Sequence, residues 1–379
     1  MTVVVRPDWH STGYAASKEA HAALSIGEWV RLVNSAVEPS IAHDPAWLMP
    51  ALKELSPHYP AELITLGDGF ELSGIVAMQK SRWRWGLPLQ ALVSWHHPHH
   101  FLGTPLVSET SGIRALSDLI LRGMPLVFTQ TTLDGGAMDS LKRAADTVGA
   151  KVVVTERAER ACYRPEGHFD DHLKRHLPRK RRKEFRRLKS RLTELGTLRV
   201  ERLGCDANVD LWFDRFEALE ASGWKGRRGT ALRLNPRDAR LMREAGRRLH
   251  LDGRLLFWEM SLNDQPVAML FAMISGNRAW LGKIAHDEAY GQYSPGALII
   301  IEASRDFDDR PDIRLVDSCA VPDHSLINRL WHDRLAVGTV IVIPPGMPQW
   351  QASLVTTLES GRQRAIPALK TLRNLVTRR

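Results

Sequence analysis

From Ala61 onward the hydrophobic positions fall into short β-rich runs. "AELITLGDGFELSGIVAMQKSRWRW" holds two of them around a Gly-Asp-Gly turn, and "LPLQALVSWHHPHHFLGTPLV" continues as a further extended stretch. The spacing then becomes helical in "SGIRALSDLILRG" and "GAMDSLKRAADTVGA", which alternate with the strands "MPLVFTQTT" and "KVVVTERAERACYR". The predicted order is three strands, helix, strand, helix, strand.

The same order returns from Gly253. "GRLLFWEMSLNDQPVAMLFAMISGNRAWLGKIAHD" reads as three strands joined by Asn-Asp and Ser-Gly-Asn turns. "SPGALIIIEASRDF" follows as a helix, "IRLVDSCA" as a strand, "DHSLINRLWHD" as a helix and "AVGTVIVI" as a strand. Helical segments precede each block: "IGEWVRLVNSA" and "PAWLMPALKEL" the first, a basic helix and "VDLWFDRFEALEAS" the second. The letters do not repeat, so the duplication lies in pattern alone. At 379 residues the chain exceeds what one hydrophobic core serves. A boundary near Pro165 to His168 predicts two tandem domains, 1–166 and 167–379, each α/β with a mixed sheet covered by helices.

Charge sharpens one segment. Formal net charge is +9, yet Lys174 to Arg191 holds eleven Lys or Arg against one Glu, leaving the rest of the chain within one unit of neutral. Phe185, Leu188, Leu192 and Leu195 fall on one stripe of that segment, Pro178 suits its first turn and Gly196 its stop. An amphipathic helix with a solvated basic face is expected, and a nucleic-acid partner is disfavoured because phosphate-binding surfaces spread their cations over several elements. Cys162, Cys205 and Cys319 have no ligand spacing and read as reduced thiols. The N-terminal residues carry no secretory pattern, and Pro344, Pro345 and Pro348 interrupt the uncharged tract Leu335 to Leu358 before it reaches a membrane span. A cytoplasmic protein is expected. "WHHPHH" at Trp95 to His100 offers no carboxylate or cysteine at ligand spacing, so no metal is assigned.

"LEASGWKGRRGTAL", "AHDEAYGQYSPGALI" and "RLVDSCAVPDHSLINRLWHDR", with the duplicated order, resemble the GNAT superfamily of N-acetyltransferases. In tandem arrangement they resemble the FemAB-like proteins, and in wording the bacterial CelD/BcsL-like acetyltransferases associated with polysaccharide biosynthesis. The resemblance implies two tandem GNAT-like domains, the first degenerate and shaping the substrate channel, the second binding the donor. It also implies acetyl-CoA or another acyl-CoA as co-substrate. The matching phosphate loop is Gln292, Tyr293, Ser294, Pro295, Gly296 and Ala297, where Pro295 replaces a glycine of the family pattern and removes one amide donor. A helix N-terminus presents amides and partial positive charge to a pyrophosphate. Ser294 as N-cap and Pro295 at the first helical position equally describe a well-capped buried helix.

Acyl transfer needs a base for the attacking group and a donor for the developing oxyanion. His286 and Asp287 close the third strand of the second block, which the resemblance makes the fourth strand of the fold, and either can be the base. The resemblance adds weight to Asp287. Asp317, inside an apolar strand, must be paired with an arginine or functional. His324 opens the next helix as a second catalytic candidate or a cap residue, with Trp331 and Arg334 expected on its face. Trp224 and Lys225 lie in a glycine-punctuated loop that suits an acceptor pocket or the coenzyme's adenine, and Lys283 can meet a phosphate or carboxylate. The first expectation is therefore an acyl-CoA-dependent N- or O-acyltransferase acting on an amino sugar, a polysaccharide precursor or a related envelope metabolite. A FemAB-like aminoacyl or peptidyl transferase using charged tRNA is the alternative enzyme. A nucleic-acid-binding or scaffold protein on an inactive fold is the alternative of another class.

Overall fold

The structure is a computed structural model that describes residues 3–5, 24–68 and 71–376. Gly69 of the first hairpin turn, and nearly all of the N-terminal stretch read for a secretory pattern, lie outside them. The first repeat runs β1 (Val3–Val5), α1 (Ile26–Ser35), α2 (Pro45–Leu55), β2 (Glu62–Gly67), β3 (Leu72–Ser81), β4 (Ala91–Ser94), β5 (Leu106–Val107), α3 (Gly112–Ile120), β6 (Leu126–Thr132), α4 (Gly136–Val148) and β7 (Lys151–Tyr163). The second begins with α5 (Phe169–His176), α6 (Arg179–Thr193), β8 (Leu198–Arg202), α7 (Val209–Ser222), α8 (Trp224–Arg227) and α9 (Pro236–Leu251). It continues with β9 (Leu255–Leu262), β10 (Gln265–Ser275), β11 (Arg278–His286), a 3-10 turn over Glu288–Tyr293, α10 (Pro295–Asp308), β12 (Leu315–Asp317), α11 (Ile327–Leu330), β13 (Asp333–Ile343) and α12 (Gln349–Val376). The mixed α/β class agrees with the sequence pattern, to which the structure adds β1, β8 and α9 and splits the extended stretch after β3 into β4 and β5.

Two compact units form, and they differ from the expected division at 166 and 167. Unit 1 holds residues 1–45, 56–159 and 336–379; unit 2 holds 46–55 and 160–335. The reason is pairing. In unit 2, the end of β7 pairs antiparallel with β12, Cys162 opposite Asp317. In unit 1, β13 pairs antiparallel with β6, Val340 opposite Phe128. Each repeat thus gives part of its last strand to the other unit.

Unit 1 orders its strands β1-β2-β3-β4-β6-β13, with β5 on β3 and with β4 parallel to β6. Leu116, Leu119 and Ile120 of α3 and Leu141 and Ala144 of α4 bury against one face. Ala352 and Val355 of α12 cover Val93, Val127 and Ile341 on the other. In unit 2 the order is β12-β11-β10-β9-β8, antiparallel except for β11 with β12. Leu298 and Ile301 of α10, Phe169 of α5 and Leu192 of α6 share one core with Trp258 and Leu270. On the opposite face Phe213 and Phe216 of α7 meet Phe257 and Phe271 edge-on, the arrangement that aromatic quadrupoles favour. Among the described residues no helix is long and apolar enough to cross a membrane.

Candidate active site

The site grows from one extra residue in β11. Leu281 pairs with Ala272 and Lys283 with Phe271, so Gly282 is bulged between them. A Cβ at Gly282 would lie 2.0 Å from the Phe271 ring, so only glycine fits. A bulge reverses which backbone groups face which neighbour. The Asp287 amide bonds the Val267 carbonyl of the β10 side, so Lys283 and Ala285 share its direction, while Ile284 and His286 turn their amides and carbonyls away from β10. On that outer side β12 pairs only with Arg278, Ala279 and Trp280. Beyond the bulge, β11 therefore offers an open edge.

That edge runs toward the N-terminus of α10. Ser294 is the N-cap but sits in the left-handed region (φ 52°, ψ 50°), and its hydroxyl makes no cap bond. Its carbonyl takes the Ala297 and Leu298 amides. Pro295 has no amide, and the Gly296 amide, one residue on, has no acceptor within the helix. A Cβ on Gly296 would meet His286 Nδ1 at 3.4 Å and Ile284 Cδ1 at 3.7 Å, so the imidazole packs at this helix start. Gln292 and Tyr293 belong to the 3-10 turn, with Gln292 exposed and Tyr293 half-buried.

Burial pushes the His286 imidazole below its ordinary pKa, with Glu288 and Asp287 pulling the other way. The net pull favours the neutral form. Asp287 caps the 3-10 turn, its Oδ1 accepting the Ala289 amide at 2.9 Å. Behind β11 a buried charge group gathers. Glu220 of α7, whose side chain is 0% exposed, accepts from Lys225 Nζ at 2.9 Å and from the Leu232 amide at 2.8 Å, with Lys283 Nζ 3.6 Å away. Burial pushes Lys283 below the usual lysine value, against the pull of Glu220 and Asp238. Lys225 also donates to the Ile284 carbonyl at 2.8 Å. Trp224 is half exposed beneath Arg228, whose guanidinium lies 5.2 Å from the ring centroid. Glu288 ties this loop to the 3-10 turn through the Trp224 amide (2.7 Å) and Arg227 (2.6 Å).

The remaining candidates lie elsewhere. Asp317 is fully buried and ion-paired with Arg160, and its Oδ1 takes the Cys319 amide at 2.9 Å. Both oxygens are engaged, which is the arginine-partner role. His324 Nδ1 accepts the Ile327 amide at 3.3 Å, a cap contact. The helix expected through Trp331 and Arg334 is only Ile327–Leu330 long, because β13 starts at Asp333. Trp331 is buried, stacked on Tyr163 and bonded to Ser304 at 2.9 Å, whereas Arg334 is exposed and turned back onto the Trp331 carbonyl at 2.8 Å. The three residues form no common face. Sequence reading missed Glu220 and Gly282; the only signal was a carboxylate in an otherwise amphipathic helix and a glycine within a strand.

The basic helix is present as α6, with Leu192 buried, Phe185 and Leu188 half-buried, and Leu195 exposed beyond its end. It lies against the 3-10 turn, and Lys189 pairs with Glu302 of α10 at 2.7 Å. Lys183, Arg186 and Arg187 are exposed. In unit 1, His97 of the histidine run is buried beside Trp95 and accepts the His99 amide at 3.2 Å, and burial pushes its pKa well down. Among the described residues no group of His, Cys, Asp or Glu is arranged to hold a metal ion.

Among the solved structures that share the fold, three illustrate it at low identity. FemX superposes with a TM-score of 0.54 at 11% identity, covering 87% of this chain and 98% of its own. A protein of unknown function from Bacteroides thetaiotaomicron gives 0.52 at 13%, covering 84% and 97%. A C-terminal domain (DUF2156) attributed to a lysylphosphatidylglycerol synthetase from Agrobacterium fabrum gives 0.50 at 10%, covering 88% and 95%. No curated protein matches the chain by sequence. The family signal falls on unit 2: residues 179–322 match the family model of the acetyltransferase (GNAT) domain, a span that contains the bulge, the open edge and the α10 N-terminus.

Proposed function

We propose that unit 2 transfers an acyl group from a thioester, acyl-CoA, to an amine or hydroxyl of an amino sugar, polysaccharide precursor or related envelope metabolite. One observation carries this reading: the open β11 edge leads directly to an uncapped helix start at Gly296. An extended thioester arm can add to the edge through the Ile284 amide and the His286 backbone groups, as a strand would, the Ile284 carbonyl already accepting from Lys225. Its pyrophosphate then meets the α10 amides and helix dipole. The loop Gln292, Tyr293, Ser294, Pro295, Gly296 and Ala297 would hold the donor. Trp224 and Arg228 present an aromatic and a cation at the rim for the acceptor or the adenine.

His286 is the proposed base. Its neutral form, favoured by burial, carries a free lone pair, whereas one oxygen of Asp287 is engaged as the cap of the 3-10 turn. The test is calorimetric titration with CoA and acetyl-CoA, followed by thiol release from acetyl-CoA in the presence of D-glucosamine and other amines. His286→Gln should keep donor affinity and lose about a hundredfold in rate. Binding of neither CoA nor acetyl-CoA would remove the reading.

A second reading, transfer of an aminoacyl group from charged tRNA as the FemAB-like arrangement suggests, is favoured by α6. That helix packs against the 3-10 turn that leads into α10, and its Lys183, Arg186 and Arg187 are exposed. Retention of tRNA with a steep salt dependence, without retention of CoA, would establish it over the first.

A further inference from the structure

We propose that Lys225 is a catalytic residue, donating a hydrogen bond from its ammonium to the carbonyl oxygen of the thioester lying along the open edge of β11. The proposal rests on the thioester reading above and assigns its oxyanion donor.

An ammonium has three N–H donors. Glu220 takes one at 2.9 Å and the Ile284 carbonyl a second at 2.8 Å. Among the described residues the third has no such fixed partner. Its place follows from the bulge: the Ile284 carbonyl faces away from β10, so an ammonium bonded to it stands on the open side of β11, where an extended acyl arm would run. The Lys225 side chain is 22% exposed and Glu220 is 0% exposed, so the charge sits in a poorly screened setting where a donor is worth more than in water.

Glu220 is a positioning residue. With its second oxygen held by the Leu232 amide, it fixes the ammonium without being free to act as a base. Lys283 does not substitute for Lys225, because its ammonium lies toward Glu220, 3.6 Å away, whereas the Ile284 carbonyl on the open side accepts from Lys225. In the step itself, the acceptor nitrogen or oxygen forms a bond to the acyl carbon and the carbonyl π pair moves to oxygen, opposite the Lys225 charge. The pair returns as the C–S bond breaks. Sulfur leaves as thiolate, and the proton lost by the acceptor passes to His286.

A carbonyl under a cationic donor is already polarised before any acceptor arrives, so infrared difference spectroscopy with carbonyl-13C acetyl-CoA tests the contact directly. On the wild type the stretch should move to lower frequency on binding. Lys225→Gln and Lys225→Met should bind acetyl-CoA within about threefold of wild type and lose that shift, with thiol release to D-glucosamine falling about a hundredfold or more. Two variants are used because Met leaves Glu220 with Lys283 alone, while Gln keeps a donor for Glu220. Persistence of the shift in Lys225→Met, or loss of acetyl-CoA affinity in both variants, overturns the catalytic role. A wild type that binds no acetyl-CoA overturns the thioester reading itself and the proposal with it.

Discussion

Arg160 and Asp317 meet inside unit 2 as a buried ion pair, with the second carboxylate oxygen of Asp317 held by the Cys319 amide 2.9 Å away. The pair joins the end of β7 to β12, next to the Cys162 and Asp317 register position. Removing one partner leaves the other charge buried and uncompensated. Asp317→Asn or Arg160→Met should therefore cost about 3–5 kcal/mol in stability, measured as a lower urea midpoint. Residual activity should track the folded fraction. A fully folded, wholly inactive Asp317→Asn would instead place this carboxylate in the chemistry.

Gly296 separates the donor site from helix stability. Ala adds a Cβ at ordinary contact distance from His286 and Ile284, whereas Val adds branches toward them and over the helix start. Gly296→Ala should bind CoA within a few-fold of wild type. Gly296→Val should weaken CoA at least about tenfold, or about 1.4 kcal/mol, while the thermal midpoint changes much less. Isothermal titration beside a melting curve distinguishes the two effects.

The pH dependence of unit 1 stability has an identifiable source in His43. Its Nε2 accepts the Ala77 amide at 3.2 Å, and burial lowers its pKa from 6.5 to about 4. The unfolded chain therefore binds the extra proton first. The stabilisation is complete above pH 6.5 and is lost as pH falls from 6.5 to about 4, amounting to about 3 kcal/mol by linkage. Urea unfolding at a series of pH values should show a slope of this sign, to which the buried His97 adds, and His43→Gln should reduce it by the His43 share.

Reversal of the exposed α6 cations in a Lys183→Glu, Arg186→Glu, Arg187→Glu triple variant leaves Leu192 and Phe185 untouched, so folding should survive. Association of an anionic donor should slow several-fold at low salt, and the difference should vanish as ionic strength rises. Loss of a tight tRNA complex in the same variant would favour the aminoacyl-tRNA reading. Arg181 and Arg182 are poorer choices: the first is paired with Glu184 at 3.0 Å and the second is half-buried.

Strand and helix order was legible because each element repeats its apolar positions at its own period, and this chain alternates the two periods cleanly. The segment around His324 misled for a physical reason. Its apolar residues suit a helix, but Trp331 finds Ser304 and Tyr163 in the core, and the chain turns into β13 after one helical turn. Glu220 was illegible because a glutamate in "EALEAS" looks like a solvated face; only the fold brings Lys225 and Lys283 to it. The bulge at Gly282 depends on Phe271, which lies on another strand and leaves no trace in local spacing. Ser294 was correctly placed as the N-cap, yet its left-handed backbone, which removes the hydroxyl from capping, follows from the preceding 3-10 turn.

The exchange of last strands bears on how the chain can be made. During synthesis, all of the first repeat emerges before β12 exists, so the tail of β7 has no pairing partner until residue 317 is out. Likewise β6 stays bare on one side until Ala336 to Ile343 are available, about two hundred residues after it. A ribosome at 5–20 residues per second delivers those residues some tens of seconds or less after β6. Throughout that interval β6 is a sticky, half-satisfied template, and chaperone dependence should be read at this strand first.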